Sequence, residues 1–201
     1  MVETWHVDAA SRSHSVAASS IALLLDASTE AEPAARMLAF LNEVAPVDYF
    51  SLVEYVQDRH EGLAAPELLE GHAGASSPNV TAECFAHYRR HFWREDRATH
   101  IAQQLGRGAD ASPVTGLHFK AGDIHVPSWR TEIYERARLA DRLTFLYSPV
   151  PHSAYSINLY RDLAHGAFRA AEIERLLAVA PLLKQTHRSA LRAGSAPGEA
   201  L

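Results

Sequence analysis

Histidine is the residue type here most able to do chemistry, with twelve among 201 positions. Imidazole ligates metals and titrates near neutral pH. His87 and His91 stand four apart in 80–93, a stretch that reads as a helix, so they share a face with Cys84 and Tyr88. Two imidazoles at that spacing chelate zinc or iron when a third ligand arrives, and His72, His118 or His125 would have to supply it. The glutamate of a metalloprotease helix is missing, and with Arg89 and Arg90 alongside, the same histidines fit a half-exposed helix face. His118 or His91 in an aromatic pocket would also suit haem iron, although no Cys-x-x-Cys-His attachment occurs. Cys84 is the only cysteine, and His87, one turn along, is poorly aimed to activate it. A small buried thiol on an aromatic helix more often just packs. No Gly-x-Ser-x-Gly elbow, phosphate loop or dinucleotide fingerprint is present, so no catalytic residue is assigned.

The aromatic residues make a second set. Alternation in 155–161 sends Tyr155, Ile157 and Leu159 to one side and Ser156, Asn158 and Tyr160 to the other, and 142–148 aligns Leu143, Phe145 and Tyr147. Tyr88, Trp93, Trp129 and Tyr134 fall on two helical stretches. Small-molecule pockets are mostly apolar with few convergent polar groups, but large rings also fill ordinary cores.

The elements that position these residues follow from periodicity. Residues 15–27 and 31–44 carry apolar residues at helical spacing, with Pro33 in a first turn and Pro46 as a stop. Residues 48–56 read as a strand and 66–74 as its partner. A helix over 80–93, a Gly/Asp/Ser loop at 106–113 and a strand at 115–124 come next. Pro127 and Ser128 open another helix, with Ser128 as N-cap and Trp129, Ile133 and Ala137 on one face. Strands 142–148 and 155–161 make a hairpin, and 169–192 is the longest helix, with a kink expected at Pro181. About five antiparallel strands with helices covering them make an α+β fold, the long terminal helices on one face. Residues 1–14 read as a flexible start, 15–192 as one domain and 193–201 as a linker or tail.

Composition excludes several classes. With 47% apolar and 21% charged residues the chain is not disordered throughout. A net charge of −5 gives no general attraction to nucleic acid. One cysteine excludes an internal disulfide framework. No apolar run approaches the roughly 20 residues that span a bilayer, and Glu3 and Asp8 stand where a signal peptide would be basic. The expected location is the cytoplasm, which makes Asn79-Val80-Thr81 a chance glycosylation motif.

This order of elements resembles a GAF-like, PAS-related sensor domain. The run Tyr88-Arg89-Arg90-His91-Phe92-Trp93-Arg94-Glu95-Asp96 resembles the N-terminal sensory half of LuxR-type transcriptional regulators. So do 129–139 running into Asp141-Arg142-Leu143, Ile157-Asn158-Leu159-Tyr160-Arg161, Gly166-Ala167-Phe168, and Ala180-Pro181-Leu182-Leu183. The resemblance covers roughly residues 30–192 through diffuse aromatic and apolar patterns rather than a catalytic signature. It implies a ligand cavity between the sheet and crossing helices, with Tyr88, His118, Trp129, Tyr147, Trp93 and Phe145 as expected lining. It implies a non-enzymatic sensor of a small molecule, reaching DNA only through a helix-turn-helix domain absent from these residues. The Gly-Ser-Ala-Pro-Gly ending fits a sensor parted from such a domain better than a free-standing one. No cofactor is expected on this reading. Separately, the apolar stripes of 15–27 and 169–192 exceed what one sheet face needs, and the surplus would bury against a second copy as a homodimer or pack within one subunit. The competing readings are a stand-alone metal-dependent enzyme using His87, His91 and His118, and a solid interaction module without a cavity.

Overall fold

The structure, a computed structural model, describes residues 2–8, 15–25, 33–58, 62–63, 65–74, 80–105, 113–149 and 153–194. In chain order the elements are β1 (Glu3–Val7), α1 (Ala18–Leu25), α2 (Pro33–Val44), β2 (Tyr49–Asp58), β3 (Gly62–Leu63), β4 (Glu67–Ala73), α3 (Thr81–His91) and α4 (Arg97–Leu105). There follow β5 (Val114–Lys120), α5 (Pro127–Trp129), which continues as a π-helix over Arg130–Glu135, then β6 (Leu139–Tyr147), β7 (Ser153–Asp162) and α6 (Ala170–Gly194). Short 3₁₀ turns occupy Trp93–Glu95 and Ala121–Asp123. The expected turns at 76–79 and 106–112 and the tail from 195 lie outside the described residues.

One antiparallel sheet runs β1-β5-β6-β7-β2, and β2 also pairs with β3 and β4. The fold is α+β, as expected. Among the described residues the sheet has seven strands rather than about five, one of them the two-residue β3. Much of the difference lies at the N-terminus. Glu3–Val7 is not loose but pairs with β5 from Glu3↔His118 to Val7↔Val114. Its alternation explains this: Trp5 and Val7 pack against the core while Thr4 and His6 stay toward solvent. The expected hairpin of β6 and β7 forms, with Phe145 opposite Ile157 and Tyr147 opposite Tyr155.

Strand alternation divides the sheet into two faces. Phe50, Leu52, Leu143, Phe145, Tyr147, Ile157 and Leu159 share a core with α1, α2 and α6. The long terminal helices therefore do cover one face. α6 reaches closely enough that a Cβ on Gly116 would stand 2.6 Å from Leu177 Cδ2. Along α6, Ile173, Leu176, Leu177, Ala180, Leu183 and His187 are all buried within the chain, so its stripe is used internally. The large apolar side chains left exposed include Leu23 and Leu25 of α1. Pro181 lies inside this one helix.

The other face is covered by α3, α4 and the α5–π segment. α4 was not expected from the sequence. Its Ala98, Ile101, Ala102 and Leu105 stand at i, i+3, i+4 and i+7 and pack together against the sheet, so the stripe is present in the sequence. The helix expected from Ser128 begins at Pro127, in the first turn, and no side chain caps it. Among the described residues, no helix is long and apolar enough to cross a membrane.

Candidate functional site

α3 presents Thr81, Cys84, Phe85 and Tyr88 to the sheet, the i, i+3, i+4, i+7 spacing of one helical face. The α5–π segment adds Trp129, Ile133, Tyr134 and Ala137. Below them β2 contributes Tyr49, Ser51, Val53 and Tyr55, β6 Arg142, and β7 Asn158 and Tyr160. Together they line a cavity of about 60 Å³ that opens to solvent. The π-helix matters to its shape. An i→i+5 bond from Arg136 N–H to Thr131 carbonyl widens that turn, and the consecutive Ile133 and Tyr134 both face inward. Such insertions are frequent at functional sites.

The floor is polar, buried and networked. Asn158 accepts from Thr144 Oγ1 at 2.8 Å and donates to Ser51 Oγ at 3.2 Å and Ser156 Oγ at 3.0 Å. Arg142 makes two parallel bonds to Asp96, Nη1 to Oδ2 at 2.8 Å and Nη2 to Oδ1 at 3.0 Å. Asp96 also accepts from Tyr88 Oη at 3.0 Å and from the Ala98 amide at 3.0 Å, which caps the first turn of α4. Burial pushes the Asp96 carboxyl up, but the charge and hydrogen bonds of Arg142 outweigh it and hold the acid below its ordinary value. The guanidinium lies 3.9 Å from the Phe119 ring centre. Burial raises the phenols of Tyr55, Tyr88, Tyr134 and Tyr160, so they are neutral hydrogen-bonding groups.

Two of the expected lining residues, Tyr88 and Trp129, meet at this cavity, their ring centres 5.7 Å apart. The other four stand elsewhere. Phe145 and Tyr147 belong to the opposite face, beneath the terminal helices. Tyr147 bonds His187 Nδ1 at 2.9 Å there. His118 is buried with Nε2 2.6 Å from Asp141 Oδ1, and Asp141 Oδ2 accepts the Phe168 amide just before α6. Trp93 is buried in its 3₁₀ turn with the Arg94 guanidinium 4.4 Å over its ring. For Phe145 and Tyr147 the physical reason is strand parity: past the irregularity between Leu139 and Asp141, Leu143, Phe145 and Tyr147 face the terminal helices while Arg142 faces the cavity. Tyr49, Ser51, Tyr55, Arg142 and Asn158 were not singled out as lining. Their signal was a polar alternation that resembles a solvated face until helices cover it.

The histidine cluster also resolves differently. His87 Nε2 meets Glu132 of the π-helix at 2.5 Å, and Arg136 pairs with Glu83. These pairs cross an outer groove lined by Val80, Glu83, Cys84, His87, Arg90, Glu132 and Arg136, which shares Val80, Cys84 and Ala137 with the inner cavity. His91 lies beside His87, ring centres 4.8 Å apart, but His118 belongs to another part of the sheet and supplies no third ligand. Among the described residues, no three His, Cys, Asp or Glu side chains converge as a zinc or iron site. Burial pushes the Cys84 thiol up, away from the thiolate a nucleophile needs.

No protein-family model and no curated protein matches the sequence. Solved structures do match. The VqsR LBD domain from Pseudomonas aeruginosa superposes with a TM-score of 0.56 at 16% identity, over 86% of this chain and 95% of that one. CepR2 from Burkholderia cenocepacia, an N-acylhomoserine lactone dependent LuxR family transcription factor, gives 0.59 at 16% identity, over 88% and 93%. This is the fold of LuxR-family sensory domains. GAF3 of Slr1393 from Synechocystis, at 0.51 and 12% identity over 80% and 94%, extends the likeness to GAF domains. In this GAF-like frame the cavity lies between the sheet and the helices α3 and α5.

Proposed function

We propose that this chain is a small-molecule-sensing domain of the LuxR type and not an enzyme. The observation that carries the reading is the cavity itself, with aromatic walls over a buried polar floor. A ligand that prefers one arrangement of α3 and the π-segment would shift the domain toward it. The sheet would carry that bias to α6 on its far face, and from there to a two-fold dimer and a helix-turn-helix domain that binds DNA.

Ligand-observed NMR with a library of small aromatic compounds and N-acylhomoserine lactones tests the site. The lactones are included because CepR2 is described as dependent on them. Cys84→Trp, which fills the cavity from α3, is the control. Compounds that bind the wild type and not Cys84→Trp are the expected result. A library in which no binding is sensitive to that substitution overturns the reading.

A further inference from the structure

We infer that the cavity selects an uncharged ring compound bearing a hydrogen-bond acceptor such as a carbonyl, and that Tyr134 is the residue that selects it. This rests on the cavity being the ligand site.

Tyr134 lines the cavity and is 1% exposed, yet its hydroxyl has no hydrogen-bond partner among the described residues. Native proteins rarely bury a polar group unmatched. The polar groups around it are engaged. Tyr88 donates to Asp96, and Asn158 is held by Thr144, Ser51 and Ser156. Arg142 Nε, a pure donor, is likewise without an acceptor. What the floor lacks is therefore an acceptor oxygen.

Charge narrows the class. The Arg142 guanidinium is matched by Asp96 through two bonds, both side chains being buried. The pair is neutral as a unit. An entering anion or cation would lose its hydration without gaining an uncompensated counter-charge. A neutral acceptor avoids that penalty. The rings of Trp129, Tyr88 and Phe85 supply flat apolar contact for the rest of the molecule.

Fluorine NMR titration separates these features with three probes of similar shape: para-fluoroacetophenone, para-fluoroethylbenzene and para-fluorobenzoate. Against the wild type the ketone should bind about tenfold tighter than the hydrocarbon, the value of one buried hydrogen bond, and the benzoate should bind weakest. Tyr134→Phe should remove that tenfold preference while leaving hydrocarbon binding unchanged, which also shows that the variant is folded. An unchanged ketone preference in Tyr134→Phe, or a benzoate that binds tightest, overturns the inference and leaves the cavity standing as a site. Failure of all three probes against the wild type overturns the cavity as a ligand site, and this inference with it.

Discussion

Arg142 and Asp96 lie 46 residues apart in sequence and meet through two hydrogen bonds beneath the cavity, at 2.8 and 3.0 Å. The pair joins the central strand β6 to the start of α4, and Tyr88 of α3 leans on the same carboxylate. Three elements around the cavity are thus anchored on one buried charge.

Arg142→Met strands that charge. Removing one partner of a buried ion pair costs about 3–5 kcal/mol, and urea unfolding near neutral pH should show a loss of that order. The pH dependence carries the sign. In the wild type the Asp96 acid is held low, so its stabilisation is complete above the ordinary carboxylate range and is lost as pH falls below it. In Arg142→Met burial, the largest influence on the acid, is opposed only by the hydrogen bonds from Ala98 and Tyr88, so the acid rises and the deficit should shrink as pH is lowered into the carboxylate range. A deficit independent of pH would count against the pair as described.

His187 provides a second titration, on the other face. Burial lowers its pKa from 6.5 to about 4, while Tyr147 holds its Nδ1 and Tyr155 packs edge-on with ring centres 4.7 Å apart. The unfolded chain takes up this proton below about 6.5 and the folded one only near 4. Its contribution is therefore whole above 6.5 and disappears as pH falls toward 4, a span worth on the order of 3 kcal/mol. His187→Gln keeps a hydrogen-bonding group without the titration. Its stability should vary less between these pH values, and parallel wild-type and variant curves would refute the assignment.

The ion pairs over the outer groove should govern access rather than stability. His87–Glu132 and Glu83–Arg136 are substantially exposed, and exposed pairs are worth about 0–1 kcal/mol. Glu132→Gln combined with Arg136→Gln should leave the urea midpoint nearly unchanged. Alkylation of Cys84 by an uncharged reagent should become severalfold faster, because Cys84 lines both spaces. An unaltered alkylation rate would remove the latch role.

Gly116 sets how closely α6 approaches β5. Gly116→Val places methyl groups against Leu177 and should cost about 1–3 kcal/mol by overpacking. Leu177→Ala in the same chain should recover part of that loss, and strictly additive effects would show that the two positions do not touch.

Local patterns in the chain were enough for the α+β class, the β6–β7 hairpin, the helices around Tyr88 and Trp129, and the long α6. These depend on period and turn chemistry, which neighbours in sequence fix. β1 was missed because its alternation runs over only five residues; α4 was legible in the sequence, since Ala98, Ile101, Ala102 and Leu105 keep the spacing of one helical face. The reading of His87, His91 and His118 as one metal site depends on placement through space, which helical spacing constrains only within one helix; His118 stands on β5 and not beside α3.

The sequence by itself determined that β6 and β7 have two distinct faces and that α3 has an apolar side. Only the tertiary structure decided which strand face lies under α3 and the π-segment. A strand's alternation is blind to what covers it: Leu143, Phe145 and Tyr147 look more like pocket lining than Thr144, Ser156 and Asn158, yet helices bury both sides. The terminal helices pack on the first set, whereas α4 covers part of the second and α3 and the α5–π segment leave a hollow beside Asn158.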